Sequence, residues 1–288
     1  MITQYNKPHE FYQAEQKYRN ILGDILHYGH SRSDRTGVGT TSFFGGQFCT
    51  SLATVFPLLS GKALHFKSIV AELLWMLRGD TNIKSLNDQG VTIWDEWADA
   101  NGDLGPIYGW QWRKGPVDQI KALEHGLRAN PFSRRHLISA WRPEDLDHMA
   151  LPPCHVSAQF CVGTNADGAP STLSCHMYQR SADFFLGVPY NIASYALLTC
   201  MLAKTRGWTP ADLIISYGDM HIYDNHIEQV GEYLNRAPLR PAPTLNLRLP
   251  LPWECADPNT PSILDFSMSD ISLSDYNPYP AIKAPVAV

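Results

Sequence analysis

The sequence lacks any apolar run long enough to span a bilayer; its longest hydrophobic stretches are helix-length and broken by polar residues. Met1 to Glu15 is polar and lacks the apolar core of a secretory signal. Excess positive charge is missing too. Twenty-three lysines and arginines against 28 acids leave a net charge of −5, which disfavours a specific nucleic-acid partner. Any phosphate the protein binds must therefore be met by a few placed arginines. Cysteine is sparse: six in 288 residues do not make a disulfide scaffold, and none has the Cys-x-x-Cys spacing of a structural zinc site. A reduced, cytoplasmic setting is expected, with no membrane and no metal. No internal repeat or long linker interrupts the chain, so residues 1–288 are expected to form one domain.

Hydrophobic spacing predicts a first helix over His9–Tyr28, with Tyr18, Ile21, Leu22, Ile25 and Leu26 on its apolar face. Thr41–Thr50 reads as a strand. Phe66–Leu77 is apolar nearly all round and predicts a buried helix, stopped by Gly79. An amphipathic helix is expected over Val117–Arg128. Strands follow over His136–Trp141, His155–Val162 and Thr172–Arg180, the last two joined by a polar, glycine-containing loop. A second buried helix is expected over Asn191–Ala203, ending at Gly207. Asp219 is expected to cap a further helix from Met220 to Leu234, and the proline-rich tail after Arg240 reads as strand in parts. Helices and strands mix without regular βαβ alternation, so the fold class expected is α+β.

Several side chains could carry chemistry. Cys154 sits in Leu151-Pro152-Pro153-Cys154-His155, where two prolines fix the approach of the backbone. An isolated cysteine is more often a buried structural residue than a nucleophile. A nearby arginine would shift that balance by lowering the thiol pKa. Cys154-His155 and Cys175-His176 could suggest metal ligands, but neighbours on a strand point to opposite faces. Glu72 is a lone acid in an apolar helix, and a buried carboxyl can hold a proton near neutral pH. Arg35, Arg134, Arg135 and Arg180 are candidate anion binders, with Ser181 beside the last as a hydroxyl donor. Asn191 is read either as a helix N-cap or as an amide able to pair with a uracil edge. His221 and Tyr223 could be packing residues or could bond a sugar hydroxyl.

Taken in order, these residues resemble the thymidylate synthase family over nearly the whole chain. The motifs are Asp34-Arg35-Thr36-Gly37, Glu72-Leu73-Leu74-Trp75, Thr92-Ile93-Trp94-Asp95-Glu96-Trp97 and Ser133-Arg134-Arg135. They continue with Leu151-Pro152-Pro153-Cys154-His155, Tyr178-Gln179-Arg180-Ser181-Ala182-Asp183 and Leu186-Gly187-Val188-Pro189-Tyr190-Asn191. Gly218-Asp219-Met220-His221-Ile222-Tyr223 and Ala284-Pro285-Val286-Ala287-Val288 complete the set.

The resemblance implies an α+β fold whose mixed sheet forms the interface of a homodimer. It implies conversion of dUMP to dTMP with 5,10-methylenetetrahydrofolate as the source of carbon and hydride. By carry-over, Cys154 adds to the pyrimidine, and Glu72 and Tyr108 manage protons. Arg35, Arg180 and Ser181 would hold the phosphate, with Arg134 and Arg135 donated by the other subunit. Gln179 and Asp183 belong to the substrate-binding motif, Asn191 would read the uracil, and His221 and Tyr223 the sugar. His65, Trp94, Asp183 and Ala287 would face the folate. Ala63, Lys67, Ala71, Cys161, Tyr190 and Tyr217 depart from the usual family residues. Two rival functions remain open from the sequence. One is a pyrimidine hydroxymethylase, in which water replaces the hydride; the other is a catalytically silent nucleotide- or RNA-binding regulator.

Overall fold

The computed structural model describes residues 8–257 and 260–287. Its α-helices are α1 (Pro8–Tyr28), α2 (Phe66–Arg78), α3 (Lys84–Asn87), α4 (Tyr108–Arg113), α5 (Gln119–Ala129), α6 (Gly187–Arg206) and α7 (Ile227–Asn235). The strands are β1 (His30–Arg32), β2 (Thr40–Ser51), β3 (Leu137–Ser139), β4 (His155–Thr164), β5 (Pro170–Asp183), β6 (Thr209–Tyr223), β7 (Thr244–Leu247) and β8 (Ile271–Ser274). The first six form a mixed sheet in the order β1-β2-β6-β5-β4-β3, and β7 pairs with β8 separately. The fold is α+β, as the thymidylate synthase-like pattern implied.

Within the large sheet β5 and β6 run parallel while the other neighbours are antiparallel. A parallel pair needs a long crossover, and α6 is that crossover. Its sequence is apolar on every side because it packs against β5 and β6 and also against α2. Gly207 ends it at φ 70°, a left-handed conformation that costs a glycine nothing. Gly79 ends α2 in the same way at φ 73°. On α1, Tyr18, Leu22 and Ile25 are buried at helical spacing, which anchors that helix against the sheet.

Register defines the uncovered face. Leu137 pairs with Gln159, and Gln159 pairs with His176, so these side chains share one surface with Tyr178. Leu137 and Tyr178 are exposed there, beside exposed Cys161.

Two expected elements are corrected. The helix expected from Met220 to Leu234 is strand as far as Tyr223, and α7 starts only at Ile227. The cause is tertiary: residues 219–223 are paired on both sides, by β2 and by β5, and those ladders outweigh helical spacing. His221 and Tyr223 thus share a strand face rather than a helix face. The second buried helix begins at Gly187, not Asn191, so Asn191 lies in its second turn and is not its N-cap. Pro189 fits the first turn, where its missing N–H is no loss. The carboxylate of Asp183 serves that end instead, accepting from the N–H groups of Phe185 and Leu186 at 3.0 Å each.

The α2–α4 contact is close enough to require a glycine. A Cβ on Gly109 would lie 2.4 Å from the Met76 carbonyl oxygen. Gly109→Ala is expected to destabilise the fold by about 1–3 kcal/mol in urea titration, through overpacking. It should also lower activity, because Tyr108 is the next residue.

Candidate active site

Cys154 stands at the entry to β4, and its setting is built by two other elements. Arg180, on β5, donates from Nη2 to the Pro152 carbonyl at 2.7 Å and from Nε to the Pro153 carbonyl at 2.9 Å. Its backbone N–H donates to the Cys154 carbonyl at 2.9 Å, and its guanidinium lies over the Trp141 ring. The proline turn is thereby strapped to the sheet. From α4, the Tyr108 hydroxyl accepts from the Cys154 N–H at 2.8 Å. Tyr108 has φ 20°, an uncommon value for a residue with a side chain, at the first position of a short helix. Burial pushes the Cys154 thiol up, and Arg180 and the Tyr108 hydroxyl acting on the side chain pull it down without reversing the shift. The arginine foreseen from the sequence is present, but the net direction is opposite to that expected. Desolvation outweighs one guanidinium already engaged by two carbonyls.

Glu72 projects from α2 and is partly buried. Burial raises its pKa from an ordinary 4.5 to about 7, against the opposing hydrogen bond from Trp94. That bond, from the indole Nε1 to Oε1, is 2.8 Å long. Trp94 in turn packs against Trp75, Trp97 and Tyr108, at 6.4, 5.8 and 6.0 Å between ring centres. An aromatic series therefore links the acid to the tyrosine that accepts from the Cys154 N–H.

Asn191 is met from two strands. Gln179 Nε2 donates to its Oδ1 at 3.0 Å and to the Ser181 carbonyl at 3.1 Å. His155 also hydrogen-bonds its side chain, and that ring packs between Tyr108 and Tyr195, each 5.3 Å away. Burial pulls the His155 pKa down to about 4, so the imidazole is neutral at physiological pH. Gln179 is buried behind Asn191. The structure thus gives Gln179 a role in orienting the amide. Gln179 Oε1 and His155 Nδ1 are buried without partners, two polar atoms left for water or ligand.

The remaining site residues collect at the same end of the sheet. Ser181 pairs with Asp219, and Asp183 with His221, across β5 and β6. Tyr223 lies two residues beyond His221, with its ring against the imidazole at 5.2 Å. Arg35 is exposed in the β1–β2 loop, which is shaped by Asp34 Oδ1 accepting from both the N–H and hydroxyl of Thr36. Its charge reaches Tyr223. His65 is exposed at the start of α2 and contacts Ser68. The terminal segment is held by His226, whose Nε2 bonds the Pro285 carbonyl at 2.7 Å, leaving Ala287 partly exposed. Val288 lies outside the described residues.

Arg134 and Arg135 are not brought to this group within the chain. They are exposed and line a surface pocket with Asn130, Phe132 and Ser133. The Arg134 carbonyl accepts from Gln159, five residues along β4 from Cys154, or about 16 Å at the strand rise.

Sequence reasoning missed Lys62, gave Asp219 only a helix-capping role, and weighed no role for His155 beyond metal binding. Lys62 is buried, with Nζ 3.7 Å from the centre of the Phe185 ring, and burial draws its pKa down to about 8. Its signal was a lone lysine after the apolar run Phe56-Pro57-Leu58-Leu59.

A thiol, a carboxyl titrating near neutrality and a fixed amide converge from β4, α2 and α6. Such a set is chemically suited to covalent chemistry at a cysteine. The thymidylate synthase family model matches residues 16–288, and the chain belongs to that family, whose members are one-carbon transferases.

The acid and the thiol each give a test. The unfolded chain releases the Glu72 proton near 4.5 and the folded one near 7, so this group's contribution to stability declines as pH rises through that window. Glu72→Gln is therefore expected to be more stable than the parent by about 3 kcal/mol at pH 8 and nearly equal at pH 4, by chemical denaturation. Tyr108→Phe removes a contact that lowers the thiol pKa. Iodoacetamide modification of Cys154 at pH 8 should slow by about threefold to tenfold.

Proposed function

We propose that the chain is a homodimeric thymidylate synthase that methylates dUMP to dTMP with 5,10-methylenetetrahydrofolate. The observation that carries this reading is the joining of Cys154, Tyr108, Glu72 and Asn191 through Trp94, His155 and Gln179. In its thiolate form Cys154 adds through sulfur to C6 of the pyrimidine, and the ring electrons move to C5 and the O4 carbonyl. C5 thereby becomes the nucleophile. Glu72, protonated up to about pH 7, is suited to serve the O4 side through water, and Tyr108 to move a proton beside the sulfur. The folate supplies, when bound, the carbon and the hydride.

Asn191 selects the ring. Uracil offers a carbonyl and an N–H, both met by one amide, whereas cytosine offers an amino group and an acceptor. A buried polar mismatch of this kind discriminates by about 10⁴–10⁵. Arg35, Arg180 and Ser181 would take the phosphate. The distance of Arg134 and Arg135 from Cys154 along β4 favours their use in the partner's site. The uncovered sheet face with Leu137 and Tyr178 suits the homodimer. Asp183 uses Oδ1 for the start of α6 and has no protein hydrogen bond to Oδ2 among the described residues, so it retains an acceptor suited to a pterin N–H. His65 and Ala287 would border the same folate.

Trp94 supports hydride transfer over attack by water. It is 7% exposed and fixed to Glu72, which leaves little room for solvent on that side. Purified protein given dUMP and methylenetetrahydrofolate should form a methylated nucleotide and equimolar dihydrofolate, read by mass and absorbance. Hydroxymethylated product with tetrahydrofolate would replace this reading with the hydroxymethylase. No product from folded protein with dUMP or dCMP would favour the silent binder. Cys154→Ser should lower kcat by at least about 10³-fold, and Asn191→Asp should narrow the preference for dUMP over dCMP by at least about tenfold.

A further inference from the structure

Asp219 belongs to none of the roles assigned above, yet its carboxylate has three side-chain partners. Ser42, on β2, donates to Oδ1 at 2.9 Å, and Arg32, on β1, donates to Oδ2 at 2.7 Å. The third partner is His221, whose Nδ1 lies 3.1 Å from Oδ1. The two residues are next-but-one on β6 and share a face, and Ser42 is the β2 residue directly opposite His221. The carboxylate is held below the ordinary range, first by His221 and then by Ser42 and Arg32.

A carboxylate only accepts hydrogen bonds, so the histidine nitrogen facing it must carry the proton. In the neutral ring this leaves Nε2 as a bare acceptor, and Nε2 has no hydrogen-bond partner among the described residues. Tyr223 packs its ring against the imidazole and limits rotation. We propose that Asp219 is the positioning residue that fixes His221 as a hydrogen-bond acceptor for the 3′-hydroxyl of the nucleotide, making binding depend on that hydroxyl. This rests on the nucleotide reading of the site. The competing role for Asp219 is a brace among β1, β2 and β6, which the Arg32 and Ser42 contacts would serve equally well.

Equilibrium binding of dUMP and of 2′,3′-dideoxyuridine monophosphate separates the two roles. The parent protein should bind dUMP about tenfold more tightly than the analogue, one hydrogen bond's worth. Asp219→Ala should reduce that ratio to below about threefold by weakening dUMP alone. Asp219→Asn retains an acceptor for Nδ1–H and should restore most of the ratio. Arg32→Ala, which removes the ion pair without touching His221, should leave it unchanged. Equal weakening of both nucleotides in Asp219→Ala, or an unchanged ratio, overturns the assignment in favour of a brace. A parent protein that binds both nucleotides equally overturns it as well. A parent that binds neither overturns the nucleotide reading and this inference with it. Histidine-ring ¹⁵N NMR of the unaltered protein gives a second measurement that does not depend on a variant folding. A His221 ring protonated at Nδ1 and bare at Nε2 is expected, and the opposite tautomer overturns the proposal.

Discussion

Parallel neighbours in a sheet cannot be joined by a tight turn, and β5 and β6 are parallel. The chain must leave β5, cross the sheet and return, and α6 makes that passage. One end of the sheet thereby acquires the start of α6 together with the ends of both strands, and Ser181, Asp183, Asn191, His221 and Tyr223 arrive there. The antiparallel strand β4 begins at the same end, so Cys154 and His155 join them. Helix α2 packs on α6 and brings Glu72. Helix α4 packs on α2 and brings Tyr108. Each contact depends on the one before it, and the crossover comes first.

Desolvation is the largest cause of the shifts at Cys154, Glu72 and His155. It raises Cys154 and Glu72 and lowers His155. The three changes have one chemical consequence, since each favours the uncharged form. Hydrogen bonds from Trp94 to Glu72 and from His155 to Asn191 oppose burial without cancelling it. Beside these three groups lie buried polar atoms without protein partners, Gln179 Oε1 and His155 Nδ1 among them.

Much of this was legible in the sequence because local signals and tertiary demands agreed. The apolar runs of α2 and α6, and their glycine stops, mark helices that are buried all round and end where expected. The isolated acid in α2 foretold the perturbed carboxyl. Legibility failed where the sheet overruled spacing. Residues 219–223 have helical neighbours in sequence but strand partners on both sides in space. That error hid Asp219, which a cap assignment treated as local. The thiol failed differently: an arginine nearby was inferable, but its engagement by the Pro152 and Pro153 carbonyls was not.

The elevated thiol pKa bears on why the proposed enzyme would need two subunits. A nucleotide phosphate entering the site adds negative charge, which by itself pushes the Cys154 pKa further up and disfavours the nucleophile. Within one chain the cation that pulls the thiol down is Arg180, and burial already outweighs it. Further positive charge entering with the phosphate would counter that rise. Arg35 is exposed on a loop within the same chain, and Arg134 and Arg135 are exposed beside the middle of β4, five residues along the strand from their own Cys154. Donated across a dimer, they would offset the phosphate charge that the substrate brings. On that reading the arginine pair would do more than add affinity, since with Arg35 and Arg180 it would counter the charge that raises the Cys154 pKa.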